Sequence, residues 1–193
     1  MPELSRRVQT FTDSVIRRMT RINNMTPGSI NLSQGFPDFD PPQEILDALK
    51  EAAEHGPHQY SITFGAKNFR DALAEMYTKK FAREIDPEKE IVVTCGGTEA
   101  MMAAMMTVCN PGDKVAVFSP FYENYGADAI LSGADPVYVP LVPPDFHYDS
   151  EALERAFQAG AKALILCNPS NPCGKVFTME EMEEIAELAK RYD

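Results

Sequence analysis

Hydrophobic and polar positions are most regularly spaced in the second half of the chain. From residue 91 onward, short apolar runs typical of buried strands alternate with segments whose apolar positions repeat every three or four residues, as in helices. The predicted strands are 91–94, 115–118, 137–139 and 163–167, and the predicted helices are 98–108, 122–131, 150–159 and 179–191. This alternation predicts an α/β domain with a mainly parallel sheet covered by helices on both faces.

The chain before residue 91 has a different pattern. A polar segment over 8–22 is predicted to be a helical arm, the stretch 31–40 is irregular, and two helices follow. Asp40 is expected to cap the first of these helices. The sequence therefore predicts mostly helix in this part of the chain.

Two further local signals lie within the α/β part. Thr178 and Glu181 have the spacing of a capping box and predict where the last helix begins. The proline-rich connection 140–148 is predicted to be an exposed loop between a strand and a helix.

Composition narrows the class of partner. The formal net charge of −11 argues against nucleic acid and anionic membranes, which attract clustered Lys and Arg side chains. The sequence has no apolar run long enough for a membrane span and no apolar core of a secretion signal. The 4 cysteines and 3 histidines lack the spacing of a metal site. We therefore expect no metal, no membrane anchor, and reduced thiols in a cytoplasmic protein.

The first segment with candidate chemistry is VTCGGTEA, residues 93–100. Two glycines at a passage from strand to helix leave backbone N–H groups of the helix start open to an anion. Gly97 and Thr98 are therefore candidate phosphate ligands, with the Thr98 hydroxyl as a further donor. A plain strand-to-helix turn explains the glycine pair equally well, and the spacing matches neither a P-loop nor a dinucleotide fingerprint.

Two more segments follow predicted strands, SPFYENY from residue 119 and CNPSNPCGKVFT from residue 167. Ligands of open α/β sheets bind at this carboxyl edge. Phe121 or Tyr122 could stack on a heteroaromatic cofactor, and both could equally fill core. Prolines fix an irregular turn around Asn171, which either holds its amide as a rigid hydrogen-bond donor or forms a rigid loop only. The convergence of all three segments on one edge favours a ligand site.

Five segments, taken in order, resemble the class I aminotransferases, nearest the aspartate and kynurenine aminotransferase branch. They are NLSQGFPDF, HQYSITFGAKNFRDALA, VTCGGTEA, SPFYENY and NPSNPCGKVF. The resemblance covers residues 31–193. It implies the large domain of a fold-type I pyridoxal-phosphate transferase, with three α/β/α layers, present only in part over 36–193. An arm and a small-domain segment are implied over 1–35.

The resemblance implies pyridoxal 5′-phosphate (PLP) as the cofactor. Gly97 and Thr98 would bind its phosphate, and Tyr122 would stack on its pyridine ring. Asn171 would donate a hydrogen bond to the phenolic oxygen O3′ and face the substrate. The resemblance also implies cis peptide bonds at Ser119–Pro120 and Asn171–Pro172.

Two residues nearer the amino terminus also match positions of the family. Gly35 matches a glycine whose backbone lies beside the substrate carboxylate. Tyr60 matches a tyrosine that reaches the PLP phosphate of the neighbouring subunit. The resemblance therefore implies a homodimer with shared active sites.

The implied reaction is the transfer of an amino group between an L-amino acid and a 2-oxo acid through aldimine and quinonoid intermediates. The chain stops after a helix, where a further strand is expected, and this predicts truncation. The Schiff-base lysine is expected beyond residue 193, so we expect no catalytic residue in this chain and no activity from it alone. Lys67 and Lys175, the lysines nearest the motifs, are expected to be solvated surface charges.

Other functions stay open on these residues. A lyase or synthase of the same fold, such as a carbon-sulfur lyase, would share the cofactor pocket. A regulator that binds DNA would need a helical module for which residues 1–25 are too few and the chain too acidic. A fragment without function of its own would expose an unpaired sheet edge.

Overall fold

The computed structural model describes residues 3–10 and 13–192. Contacts divide the chain into two compact units. The sheet unit combines residues 3–10 with 95–192, and the helical unit contains residues 13–94. The domain boundary expected at residue 35 is not tested by this division and stays a prediction.

The helical unit contains α1 (Val15–Asn24), α2 (Gln43–His55) and α3 (Lys67–Phe81). Helix α1 agrees with most of the predicted arm, of which residues 11 and 12 lie outside the described residues. The expected cap of α2 is wrong. Pro42 occupies the N-cap position and makes no side-chain cap hydrogen bond. Asp40 comes two residues too early to serve the first-turn N–H groups.

A buried arginine, Arg70, holds loops of the helical unit together. Its side chain is fully buried and donates hydrogen bonds to the carbonyl oxygens of Gly65 and Pro87. Its guanidinium also forms an ion pair with Glu88 at 3.2 Å. Gly65 has a φ of +103°, and a Cβ there would lie 2.5 Å from Cγ2 of Val93. The backbone conformation and the close approach both require glycine at this position.

The strand predicted over 91–94 is wrong. No strand is assigned over this segment. The Val93 N–H donates instead to the carbonyl oxygen of Phe64, at 2.9 Å. An apolar run becomes a strand only when a neighbouring strand pairs with its backbone groups, and none of the described strands does so here.

The sheet unit contains strands β1 (Lys114–Ser119), β2 (Asp135–Val142), β3 (His147–Tyr148) and β4 (Ala161–Ile165). Their order is β3-β2-β1-β4. β1 runs parallel to β2 and β4, and β3 is antiparallel to β2. The loop predicted over 140–148 is therefore wrong in part. Leu141 pairs with Tyr148, and both side chains are buried, which draws this connection into the sheet as a hairpin.

The helices of the sheet unit follow the predicted alternation. A short 3₁₀ helix, Arg6–Gln9, precedes α4 (Gly96–Val108), α5 (Asn124–Ser132), α6 (Ser150–Gln158) and α7 (Met179–Arg191). Thr178 and Glu181 form the expected capping box at the start of α7. No helix in the described part of the chain combines the length and apolar character needed to cross a membrane.

Successive residues of β1 contribute to two different cores. Val115 and Val117 belong to a cluster with residues of α4 and α5. Ala116 and Phe118 belong to another cluster, with residues of α6 and α7. Because side chains alternate across a strand, these clusters lie on opposite faces of the sheet. The predicted three-layer α/β/α fold is confirmed.

Candidate cofactor site

The start of α4 is an open helix N-terminus. Cys95 occupies the N-cap position without a side-chain cap hydrogen bond, so its side chain does not compete with an anion for the N–H groups of Gly97 and Thr98. A Cβ built on Gly97 would meet nothing within 4 Å, so the space beside this turn is open. The Glu99 carboxylate turns back to accept a hydrogen bond from the Cys95 N–H. The backbone N–H groups of Gly97 and Thr98 come after Cys95, in the first turn of α4.

The two aromatic candidates after β1 have different surroundings. Phe121 stacks on Tyr138 of β2, with ring centroids 5.1 Å apart and planes 6° apart, and packs against the core beneath α4 and α5. Tyr122 is half-buried and meets Tyr125 edge to face at 5.7 Å. Phe121 therefore packs partly against the core, whereas Tyr122 belongs to neither core cluster among the described residues and stays the predicted stacking residue.

Asn124 links the start of α4 to the segment after β1. Its side-chain Nδ2 lies 2.8 Å from Thr98 Oγ1 and 3.3 Å from the Tyr122 hydroxyl oxygen. One amide thus joins a candidate phosphate ligand to the candidate stacking residue. Asn124 has no signal in the sequence, because Thr98 lies 26 positions earlier and no local pattern indicates the contact.

Asn171 lies in a tight turn after β4. Ser170 N–H donates to the Lys175 carbonyl oxygen, and Gly174 N–H donates to the Ser170 carbonyl oxygen, both at 2.8 Å. The Asn171 side chain is exposed and makes no hydrogen bond to another described residue. It also lines a small pocket with Phe121. The segments after β1 and β4 therefore meet, as expected for the carboxyl ends of parallel strands.

Four of the X–Pro bonds in this unit are cis. They are Ser119–Pro120, Pro143–Pro144, Asn168–Pro169 and Asn171–Pro172. The two bonds expected to be cis, at Ser119 and Asn171, are thus confirmed.

Lys175 is not the solvated charge that was predicted. Its side chain is 7% exposed and pairs with Glu181 at 2.7 Å, with Nζ 5.0 Å from the centre of the Phe177 ring. The same Glu181 accepts from the Thr178 N–H in the capping box. Burial of the aliphatic stem and a nearby carboxylate together draw the lysine inward. Lys67, in contrast, is exposed as predicted.

Tyr125 is held in its protonated form beside the turn that carries Asn171. A hydrogen bond with Cys167, together with burial, raises the pKa of Tyr125 to about 12. The Cys167 thiol in turn donates to the Pro169 carbonyl oxygen at 3.3 Å. The raised pKa keeps the Tyr125 hydroxyl protonated at neutral pH.

Gly35 and Tyr60 belong to the helical unit. A Cβ built on Gly35 would meet nothing within 4 Å, so none of the described neighbours requires glycine there. Tyr60 has a relative exposure of 101%, which leaves its whole ring uncovered. Both residues are thus open to a partner or ligand.

Comparison with known proteins gives the family. The pattern of the family "Aminotransferase class I and II" matches residues 27–193. The chain is 38% identical over 185 residues to the probable N-succinyldiaminopimelate aminotransferase DapC of Mycobacterium tuberculosis, covering 95% of this chain and 46% of that protein. It is 34% identical over 200 residues to kynurenine–oxoglutarate transaminase 3 of Rattus norvegicus, covering 98% of this chain and 44% of that protein.

Solved structures agree. The fold matches aspartate aminotransferase from Thermus thermophilus with a TM-score of 0.88 at 32% identity, covering 100% of this chain and 52% of that one. The chain belongs to the class I and II aminotransferases, a family that uses pyridoxal phosphate. It spans about half the length of the curated relatives it matches.

Proposed function

We propose that the protein containing this chain transfers an amino group between an L-amino acid and a 2-oxo acid, with PLP as cofactor. Family membership supports amino-group transfer in general. The observation that carries the proposal is the meeting of three segments in the sheet unit. The start of α4 is joined through Asn124 to Tyr122, and the pocket after β1 is shared with Asn171.

The residues present fit PLP. Its phosphate is an anion, and the uncapped start of α4 at Gly97 and Thr98 offers backbone donors with open space beside them. Tyr122 offers a ring that is not committed to the core. Asn171 offers an amide that has no hydrogen-bond partner among the described residues and is suited to donate to the phenolic oxygen O3′. These groups match the phosphate, the ring and the phenolate of one molecule.

The chain's own part in the reaction is to bind and orient. Bound PLP supplies the electron sink through which an amino group is exchanged. Donation from Asn171 would favour the ionised form of O3′, because a hydrogen bond to a charged form stabilises that form. We propose that the cationic side chains that complete the site, the Schiff-base lysine among them, lie outside this chain.

We also propose a cytoplasmic homodimer with shared active sites. Full exposure of Tyr60 supports this, because a tyrosine that serves the neighbouring subunit's PLP phosphate is uncovered in its own subunit. Exposure of Gly35 without local crowding supports a backbone position beside the substrate carboxylate.

Titration with PLP of the longest gene product that carries this chain tests the cofactor site. Binding is followed by the ³¹P signal of the phosphate and by equilibrium dialysis. We expect Gly97→Asp to weaken binding at least about tenfold, because it adds a like charge at the helix start. Asn171→Ala should weaken it about fivefold through a lost charge-assisted hydrogen bond. Asn24→Ala, at an exposed asparagine of α1, is the control and should change nothing.

Amino-group transfer is measured on the longest gene product that carries this chain. Supplied with an L-amino acid and a 2-oxo acid, an aminotransferase forms a new amino acid. A lyase of the same fold instead releases ammonia without forming one. Release of ammonia alone would contradict the transfer proposal and leave the cofactor proposal intact.

A further inference from the structure

We propose that Asn124 is a positioning residue that turns the hydroxyl groups of Thr98 and Tyr122 into hydrogen-bond donors for the PLP phosphate. The inference rests on the proposed function, since it concerns the same phosphate site. It assigns a role to a residue that neither the local sequence pattern nor family membership singles out.

The geometry places one amide nitrogen between two hydroxyl oxygens. Asn124 is the first residue of α5, and its Nδ2 reaches Thr98 Oγ1 at 2.8 Å and the Tyr122 hydroxyl at 3.3 Å. Thr98 lies in the first turn of α4, where the phosphate is proposed to bind. Asn124 is half-buried, and its two hydrogen bonds restrain the amide.

Donor and acceptor chemistry fixes the direction of both bonds. An amide nitrogen carries two hydrogens and no lone pair available to accept, so Nδ2 can only donate. Thr98 and Tyr122 must therefore accept with a lone pair of oxygen, and each keeps its own O–H hydrogen for another partner. A phosphate has acceptor oxygens only, and it is the partner that two such hydroxyl groups fit.

This arrangement makes the hydroxyl protons available before the anion arrives. Without Asn124, each hydroxyl is free to rotate and donate to water or to a backbone carbonyl oxygen. With Asn124 in place, the cost of reorienting them is already met in the free protein. Loss of the amide should therefore weaken phosphate binding even though Asn124 itself does not touch the phosphate.

The test compares substitutions at Asn124 in the PLP titration. Asn124→Leu keeps the approximate shape and removes the donor, and we expect a dissociation constant about five- to tenfold higher. Asn124→Asp should weaken binding more at neutral pH, because a carboxylate accepts both hydroxyl protons and repels the phosphate. The control is Gln158→Leu, which removes a similar amide-to-tyrosine bond, 3.2 Å to the Tyr192 hydroxyl. It should leave PLP affinity unchanged.

A pH series separates positioning from a loss of stability. Protonation lets the aspartic acid donate again, so the ratio of the Asn124→Asp dissociation constant to that of the unaltered chain should fall as pH is lowered. A structural effect would not follow this protonation. In addition, Asn124→Leu should have less effect in a Thr98→Val background, because part of its action passes through that hydroxyl.

The outcomes are distinct. If the unaltered chain binds PLP and Asn124→Leu, shown to be folded by circular dichroism, binds it equally well, the positioning role is wrong and the proposed cofactor site stands. A pH-independent ratio for Asn124→Asp also overturns the role. If the longest gene product that carries this chain and its Gln158→Leu variant both fail to bind PLP, the proposed site itself fails.

Discussion

Asp128 is a buried carboxyl group on α5 whose Oδ2 atom has no hydrogen-bond partner among the described residues. Burial raises the pKa of this carboxyl above its ordinary value, because a low-polarity surrounding disfavours the charged form. The folded chain therefore holds the proton more tightly than the unfolded chain does. Stability contributed by this group is greatest below the unfolded pKa and is lost as pH rises through the folded pKa.

Replacement of Asp128 by Asn should stabilise the chain at pH 7. Removal of the buried negative charge is expected to raise the free energy of unfolding by about 1–2 kcal/mol. The gain should shrink as pH falls toward the ordinary range of an aspartic acid, where Asp128 is itself neutral. Urea unfolding at several pH values measures this. Glu183→Gln, at an exposed carboxylate of α7, is the control and should give no comparable gain. A pH-independent effect of Asp128→Asn would contradict the assignment.

Lys175 joins the turn that holds Asn171 to the start of α7. Lys175→Met should lower the free energy of unfolding by about 2 kcal/mol, because the partly buried Glu181 carboxylate loses its cation. Lys190→Met removes an exposed ion pair with Glu187 in the same helix and should cost under about 0.5 kcal/mol. Chemical denaturation of both variants provides the comparison. Equal losses would mean that burial of Lys175 has no energetic consequence.

At the scale of elements, helix α7 depends on its capping box. Thr178→Ala removes the hydroxyl that accepts from the Glu181 N–H and should cost about 1 kcal/mol. Thr178→Ser keeps the acceptor and is expected to stay within about 0.3 kcal/mol of the original. Amide exchange along α7 should accelerate in the alanine variant only. If both variants exchange alike, the capping hydroxyl does not stabilise the helix.

The elements that sequence predicted well are those whose signals are local. Helix α7 begins where its capping box predicts, and β1 lies on a continuous apolar run whose residues 115–118 are all buried. The segment 91–94 has an equally apolar run but is not a strand, because strand formation depends on a partner elsewhere in the chain. The hairpin of β2 and β3 was not predicted, because the prolines in 140–148 favour a loop.

In the candidate site too, the residues that the sequence predicts are those with a local signal. Gly97, Tyr122 and Asn171 lie in motifs that can be read along the chain. Asn124 could not be predicted, because its importance comes from a contact between two elements distant in sequence. Burial of Lys175 was missed for a different reason. Its partner Glu181 is only 6 positions away, but the packing of Lys175 beside the Phe177 ring at the start of α7 has no sequence signal.

At the scale of the whole molecule, all the described contacts of Arg70 lie in the helical unit. Arg70→Met should destabilise that unit by about 3 kcal/mol, because it leaves the Glu88 carboxylate and the carbonyl oxygens of Gly65 and Pro87 without a donor. Hydrogen exchange followed by mass spectrometry should show faster exchange in α3 and its loops, with strands β1 and β2 still protected.

Arg83→Met is the matched control within the same unit. Its guanidinium pairs with Glu90 at 2.7 Å but is 60% exposed, so the loss should stay under about 1 kcal/mol. Faster exchange in β1 caused by Arg70→Met would show that the effect is not confined to the helical unit.

The two-sided packing of β1 has a consequence for cooperativity. One face of β1 packs against α4 and α5, and the other face packs against α6 and α7. If either pair of helices detached, one face of β1 would be exposed to water while the other face stayed packed. A partly melted intermediate with one helical layer intact is therefore costly. We expect the sheet unit to melt as a single calorimetric event, with both layers lost together.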